Sequence, residues 1–243
     1  MHADHMVRVL GPVDIMTPAG PVLVGGRHAR ALLGALVVGV DHAVPIDHLC
    51  EVLWGADWPS SADNTLQSYI SHLRGTLGAD SIVRTNHAYR LVAGTANIDA
   101  LRFEELLNRA VAAKDDPETC RRCCGDALHL WRGRPFGDLA DEEAFKLETY
   151  RLEELRLTAM EHSLEAELAL GHHDLVVGEL ENAVQENPYR EHLWFLLIDA
   201  LASTGRRVEA LRKAAQLRRV LADVGLQAGD QICVLEQRIL GGG

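Results

Sequence analysis

The sequence lacks any apolar run that approaches the roughly 20 residues a helix needs to cross a bilayer. Residues 1–6 also lack the basic stretch followed by an apolar stretch that marks a secretory signal. We therefore expect a cytoplasmic protein without a membrane partner. Cations are scarce as well, because 24 Lys and Arg stand against 35 Asp and Glu, a net charge of −11. Since DNA affinity rests largely on cations that neutralise phosphates, this deficit argues at first against a nucleic-acid partner.

Catalytic and metal-binding patterns are also missing. Cys120, Cys123 and Cys124 form a Cys-x-x-Cys-Cys string, but a tetrahedral zinc site needs a second pair of ligands, and His129 nearby supplies one. The alternative, packing of small thiols on a helix in a reduced cytoplasm, predicts no metal. Neither a Ser-His-Asp set nor a pair of carboxylates stands out. The sequence therefore predicts no enzyme and no catalytic residue.

The charge is divided unevenly along the chain. Residues 1–94 have a net charge of −2, whereas residues 95–243 have a net charge of −9. The first part also contains short β-branched runs separated by Gly and Pro, and the second part is rich in Leu, Ala, Glu and Arg. At a prior of roughly 150 residues per domain, this contrast predicts two domains, 1–94 and 95–243.

The first part has the element order of a winged helix, an α+β fold. Apolar spacing predicts three short strands, then three helices, then a hairpin, over 7–10, 13–16, 21–24, 25–40, 46–54, 61–77, 81–84 and 89–92. In such a layout the third helix is presented to the major groove, and the hairpin is the wing.

The polar side of the third helix favours DNA reading. It carries amide, hydroxyl, imidazole and guanidinium groups, which hydrogen-bond base edges better than a mixture of Glu and Lys does. These residues are Asn64, Gln67, Ser68, Ser71, His72 and Arg74. A solvated surface helix with no DNA role is the alternative, because polar outer faces are usual on such helices.

The second part is predicted to be an all-α, tetratricopeptide-like domain. Gly171 and Gly205, each between two apolar helical segments, lie 34 residues apart. Apolar residues recur at three-to-four spacing in seven such segments, 100–113, 117–131, 144–170, 175–186, 191–203, 208–224 and 230–240. Thirty-four residues is the tetratricopeptide period. Because stacked helix pairs form surfaces that bind proteins, a protein partner is expected here and catalysis is not.

Several strings in order resemble the Streptomyces antibiotic regulatory protein (SARP) family. The first part contains RVLGPV at 8–13, GGRHARALL at 25–33, LWG at 53–55 and NTLQSYISHLR at 64–74. The second contains RFEEL at 102–106, LWRG at 130–133, LEELRL at 152–157, ENPYRE at 186–191 and LEQRIL at 235–240. Each string alone is weak, but together they cover nearly the whole chain in a specific order.

The resemblance implies a winged helix of the response-regulator type followed by a bacterial transcriptional activation domain. Family members bind promoter direct repeats upstream of secondary-metabolite biosynthetic clusters, which would place two copies head to tail as a homodimer on DNA. They recruit RNA polymerase and contact its sigma factor. We therefore expect a nucleoid-associated transcriptional activator. No Gly-rich phosphate-binding motif with Lys is present, so we expect no nucleotide and no other cofactor.

The resemblance also assigns DNA-contacting residues. The expected set covers the first helix, the third helix and the wing: Arg27, Arg30, Asn64, Thr65, Gln67, Ser68, Ser71, His72, Arg74, Arg84, Thr85, Asn86 and Arg90. The sequence departs from the family pattern at His72, where Arg is usual, at Gly75, near a usual basic residue, and at His87-Ala88, where Pro-Gly is usual. Fewer cations predict weaker and less salt-dependent DNA binding. The alternative function is a protein-interaction regulator whose winged helix binds DNA weakly or not at all.

The loop between the second and third helices faces RNA polymerase in related winged helices. Asp57 and Trp58 in this loop are therefore the candidate polymerase contacts, with Trp58 exposed. The other large rings and two further thiols fall on apolar helix faces and are expected in the core: Trp54, Trp131, Trp194, Cys50 and Cys233.

Overall fold

A computed structural model describes residues 5–40, 42–94 and 97–241. Within these ranges the chain is mostly helical, and all of its strands lie between Met6 and Leu91. The coarse prediction of a small sheet near the N-terminus and helices elsewhere is therefore confirmed.

The first part alternates two small sheets with three helices. Strands β1 (Met6–Arg8), β2 (Asp14–Thr17) and β3 (Gly20–Leu23) form an antiparallel sheet in that order. Then follow α1 (Gly26–Val38), β4 (Val44–Pro45), α2 (Ile46–Trp54), α3 (Ala62–Leu77), β5 (Ile82–Thr85) and β6 (Ala88–Leu91). The second sheet has the order β4-β6-β5. Strand β4 was not predicted, because two residues show no alternation.

The rest of the described chain contains seven α-helices and a short 3-10 helix, Gly137–Leu139. The α-helices are α4 (Asp99–Ala112), α5 (Pro117–Leu128), α6 (Glu143–Ala169), α7 (His173–Glu186), α8 (Glu191–Ser203), α9 (Arg207–Ala222) and α10 (Asp230–Gly241). Each α-helix corresponds to a predicted segment. No helix among the described residues is long and apolar enough to cross a membrane.

The chain packs as two compact units. The first packing unit contains residues 1–108 and 126–157, and the second contains residues 109–125 and 158–243. Helices α4, α5 and α6 thus contribute residues to both units. The division into domains at residue 94 stays a prediction, since packing units and functional domains need not coincide.

A buried carboxylate fixes the segment that follows β1. Asp99, the first residue of α4, is 1% exposed and accepts hydrogen bonds from the N–H groups of Val9 (2.8 Å) and Leu10 (3.0 Å). The carbonyls of Val9 and Leu10 in turn accept from the N–H groups of Phe136 and Arg132, each at 2.8 Å. The N–H and C=O groups of Val9 and Leu10 are therefore all hydrogen-bonded, as buried backbone groups must be.

The charge on Asp99 is balanced by nearby donors. Burial raises the pKa of Asp99 to about 6, while the two N–H donors and Arg132 act in the opposite direction. Arg132 lies 3.8 Å from the Asp99 carboxylate and 3.2 Å from that of Asp14, which also forms a two-point pair with Arg8. At neutral pH the ionised Asp99 is thus held by groups of complementary charge.

We expect Asp99→Asn to lower the free energy of unfolding by about 2 kcal/mol. The substitution replaces one carboxylate oxygen with an NH₂ group, which cannot accept a hydrogen bond, so one buried N–H group loses its partner. Urea denaturation at pH 7 measures the change. Asp126→Asn, at an exposed position, is the matched control and should change stability by less than about 0.5 kcal/mol. Equal stability of the two variants would contradict the anchoring role.

The 34-residue spacing seen in the sequence marks two helix ends of one geometry. Gly171 and Gly205 follow α6 and α8 with φ of +84° and +78°, a region that glycine enters without strain. The next N–H group bonds back to the carbonyl five residues earlier, from His172 to Glu167 (3.0 Å) and from Arg206 to Leu201 (2.9 Å). The repeat in sequence is therefore a repeat in helix termination.

Trp194 and the three clustered cysteines of the second part are buried, in agreement with the packing roles expected for them. Trp194 is 1% exposed, and its indole N–H donates to the carbonyl of Pro188 at 2.9 Å. Cys120, Cys123 and Cys124 are buried together. Burial raises the pKa of Cys124 to about 12, so this thiol stays protonated at neutral pH, as a packing role requires.

The prediction of a core position is right for Cys50 and wrong for Cys233. Cys50 is buried on α2, as predicted. Cys233 is exposed, because α10 turns Ile232, Leu235 and Ile239 toward the core and leaves position 233 on the opposite side.

A carboxylate with two histidine partners joins α6 to α8. Glu165 lies 2.7 Å from Nε2 of His192 and 3.0 Å from Nδ1 of His162. The hydrogen bond to Glu165 raises the pKa of His192, and burial opposes this rise. Protonated His192 is therefore favoured by folding.

We expect the stabilisation by His192 to be present below about pH 6.5, the unfolded value, and to be lost as pH rises through the higher folded pKa. Urea denaturation from pH 6 to pH 9 should show the largest gap between the native chain and His192→Gln at the acid end. His129→Gln, at an exposed site, is the control. A gap that widens toward pH 9 would contradict the assignment.

Candidate nucleic-acid interface

Helix α3 presents its predicted polar residues on one side. Its apolar positions, Leu66, Ile70, Leu73 and Leu77, are buried. The exposed positions are Asn64, Gln67, Ser68, Ser71 and His72, and Thr65 is half-buried. The structure therefore brings the predicted helix contacts together on an accessible surface.

These side chains differ in whether their polar atoms are already used. The hydroxyl of Ser68 donates to the carbonyl of Asn64 at 3.0 Å, and that of Thr65 donates to the carbonyl of Ser61 at 3.1 Å. Gln67, Ser71 and His72 make no side-chain hydrogen bond to any part of the chain that the structure describes. Their donors and acceptors are thus available to a ligand.

The side chain of Arg74 is used in a contact within the first packing unit. Its guanidinium donates from Nε (2.9 Å) and Nη2 (2.6 Å) to the carbonyl of Ile82, the first residue of β5. The side chain is half-buried. Arg74 therefore joins the end of α3 to the start of the hairpin, a role that the sequence did not indicate because the acceptor is a backbone group.

The hairpin turns through two residues, Asn86 and His87, with Thr85 opposite Ala88. Asn86 has φ of +50°, which Asn tolerates better than most residues, so the turn forms without Pro-Gly. His87 lies 3.2 Å from Asp47 at the start of α2, and its carbonyl accepts from the N–H group of Ile46 at 3.0 Å. These contacts fix the hairpin against α2.

The predicted wing residues are accessible. Arg84, Thr85, Asn86 and Arg90 are all exposed. The guanidinium of Arg84 lies over the ring of Tyr89, with its carbon 5.8 Å from the ring centroid. The hairpin thus carries two exposed cations, while most of its other residues are uncharged.

Arg27 and Arg30, the predicted contacts on the first helix, are already paired with carboxylates. Arg27 pairs with Glu142 and Arg30 with Asp138, each at 2.7 Å. The hydrogen bond from Arg30 lowers the pKa of Asp138. Both arginines are therefore engaged by carboxylates of the 138–142 segment in the same packing unit.

The loop between α2 and α3 is exposed along its whole length. The prediction that Trp58 is exposed is confirmed, at 41%, and Asp57 is exposed beside it. The sequence predicts core positions for Trp54 and Trp131, but both side chains are only half-buried. Trp54 contacts the ring of His28 at 5.8 Å, and Trp131 meets Phe103 edge-on at 5.3 Å.

We expect Arg74→Ala to lower the free energy of unfolding by about 1 to 2 kcal/mol, because the Ile82 carbonyl loses a charged donor. Arg90→Ala removes an exposed arginine from the same hairpin and should change stability by less than about 0.5 kcal/mol. Urea denaturation compares the two. If both variants match the native chain, Arg74 does not fasten the hairpin.

Comparisons with known proteins identify related sequences over nearly the whole chain. The family model described as "Bacterial transcriptional activator domain" matches residues 98–240. Regulatory protein AfsR of Streptomyces griseus is 34% identical over 96% of this chain and 24% of its own length. Regulatory protein DnrI of Streptomyces peucetius is 30% identical over 96% of this chain and 91% of its own length.

A solved structure is also similar. Mycobacterium tuberculosis EmbR, in complex with a low-affinity phosphopeptide, matches with a TM-score of 0.92 and 31% identity, over 98% of this chain and 65% of that one. The sequence of EmbR from the H37Rv strain is 33% identical over 96% of this chain. The chain spans about a quarter of AfsR and 62% of EmbR.

Proposed function

The chain belongs to the SARP family of transcriptional regulators, which share the bacterial transcriptional activator domain, and we propose that it activates transcription by binding promoter DNA and recruiting RNA polymerase. The family is one of regulators and not of enzymes. In this proposal, residues 1–94 act as a winged helix, and residues 95–243 act as a tetratricopeptide-like activation domain.

The exposed polar side of α3 beside the hairpin carries the proposal. Gln67, Ser71 and His72 have free polar atoms on a helix whose opposite side is buried. A helix of this kind fits the major groove, where amide side chains pair with the N6 and N7 edge of adenine. We therefore assign base reading to Gln67 and Asn64, with Ser68, Ser71, His72 and Thr65 as further contacts.

Phosphate contacts fall to the wing. Arg84 and Arg90 are exposed, and Thr85 and Asn86 add polar groups at the turn. Arg74 acts through the position of the hairpin. Arg27 and Arg30 would reach phosphates only after leaving Glu142 and Asp138, so their contribution is smaller than the resemblance implies.

A DNA-binding surface with so few free cations needs additional support. Direct repeats would hold two copies head to tail, and RNA polymerase would add contacts to each. Asp57 and Trp58 on the exposed loop are the proposed contacts with polymerase, including its sigma factor. In line with the resemblance to the SARP family, the target is a secondary-metabolite gene cluster, and the protein acts at the nucleoid in the cytoplasm without a cofactor.

We expect Gln67→Ala to reduce the preference for a promoter containing direct repeats over a scrambled duplex by about 1 to 3 kcal/mol, because a bidentate base contact is lost. Fluorescence anisotropy with both duplexes measures the preference. Gln185→Ala, an exposed glutamine on α7, is the control and should not change it. An unchanged preference in Gln67→Ala would contradict base reading by this residue.

The salt dependence separates phosphate contacts from base contacts. Arg84→Ala should reduce the slope of log affinity against log salt by about one unit, whereas Gln67→Ala should leave the slope unchanged. If the native chain does not bind the promoter even at low salt, the protein-interaction regulator becomes the better interpretation.

A further inference from the structure

Helix α9 is basic within an acidic region. Residues 95–243 have a net charge of −9, yet the 16 residues of α9 contain five cations and one acidic residue, Glu209. The cations are Arg207, Arg212, Lys213, Arg218 and Arg219. This concentration of positive charge needs a physical account.

Three of the five cations serve the packing of the second unit. Lys213 pairs with Glu181 of α7 at 2.8 Å, and Arg218 pairs with Glu236 of α10. Arg207 donates to the carbonyl of Ile239, also on α10. These side chains are therefore explained by contacts between neighbouring helices.

The other two cations form an exposed stripe. Arg212 and Arg219 are exposed and make no hydrogen bond or ion pair within the described ranges, although Arg212 attracts Glu209 one turn earlier on the helix. They lie seven residues apart, about two turns or roughly 10 Å along one side of the helix. Val208, which is 64% exposed, lies one turn before Arg212, and the exposed Ala215 lies between the two arginines.

We propose that this α9 stripe, Val208, Arg212, Ala215 and Arg219, docks an acidic amphipathic segment of RNA polymerase. The segment would present two carboxylates about 10 Å apart, as at positions i and i+7 of a helix, with an apolar side chain between them. The identity of the partner rests on the proposed function, because a recruited polymerase must contact the activator.

The composition of the stripe favours a protein over DNA. The Val208 and Ala215 side chains gain from an apolar contact and gain nothing from phosphates. The net charge of −9 on the surrounding region also opposes a DNA backbone, whereas a short acidic segment meets only the local positive charge. Arg is also enriched at protein interfaces and among the residues that contribute most to their affinity.

The test uses the full chain with Arg212→Glu and Arg219→Glu combined. The matched control combines Arg109→Glu and Arg122→Glu, which changes the net charge equally at two other exposed positions of the second unit. Circular dichroism checks that each variant is folded. Promoter affinity is measured by anisotropy, and affinity for purified RNA polymerase holoenzyme is measured by biolayer interferometry without DNA.

We expect the α9 variant to bind polymerase at least tenfold more weakly and to bind the promoter within about twofold of the native chain. Combined Arg212→Lys and Arg219→Lys should retain most of the polymerase affinity, and Val208→Ser should weaken it by about threefold. The control should match the native chain in both measurements.

The next two outcomes would overturn the proposal for the α9 stripe, and a third would overturn only the proposed DNA-binding function. Weakened promoter binding with unchanged polymerase binding would make the stripe a DNA contact. No polymerase binding by the native chain, or equal loss in variant and control, would exclude specific docking on α9. If the native chain binds polymerase but not the promoter, the proposed DNA-binding function fails, and the comparison of variant with control still tests the stripe.

Discussion

The architecture of the first packing unit depends on one buried carboxylate. Asp99 receives the N–H groups of Val9 and Leu10, and the carbonyls of the same two residues bond to Phe136 and Arg132. The segment Val9–Leu10, which follows β1, thus lies between two parts of the chain that are about 90 and 125 residues further along the sequence. Because buried backbone groups must be paired, these contacts either form together or leave several donors and acceptors unsatisfied. The N-terminal sheet therefore packs with residues beyond position 94.

The same unit uses most of its arginines internally, and this decides what is left for a ligand. Residues 1–94 contain six arginines, of which Arg8, Arg27 and Arg30 pair with carboxylates. A fourth, Arg74, is bonded to a backbone carbonyl. Of the six, Arg84 and Arg90 of the wing make no hydrogen bond or ion pair with any residue that the structure describes. The number of arginines in residues 1–94 thus overstates the positive charge that is available to DNA. Recognition of DNA must therefore rely on hydrogen bonds from α3.

Local sequence pattern was sufficient for the helices. The bounds of α2 and α8 coincide with the predicted segments, and those of the others differ by a few residues, because apolar residues at helical spacing and nearby Gly or Pro mark most of these helices in the sequence. The polar side of α3 was equally predictable, since it follows from the positions of its buried residues. Errors arose where burial depends on a neighbouring element. Cys233 lies on an exposed side of α10, and Trp54 and Trp131 are covered on one side only.

By itself, the sequence determined the order of elements, the exposed side of α3, the presence of a hairpin and the family. The elements among these are set by apolar periodicity and turn chemistry, which act over a few residues. Tertiary structure alone decided how the charges are used. Whether Arg27 meets Glu142, Arg74 meets the Ile82 carbonyl or Arg219 meets no partner depends on distances between groups far apart in the chain. Ion pairs have no sequence signature at such separations, because any arginine and any carboxylate are chemically suited to each other.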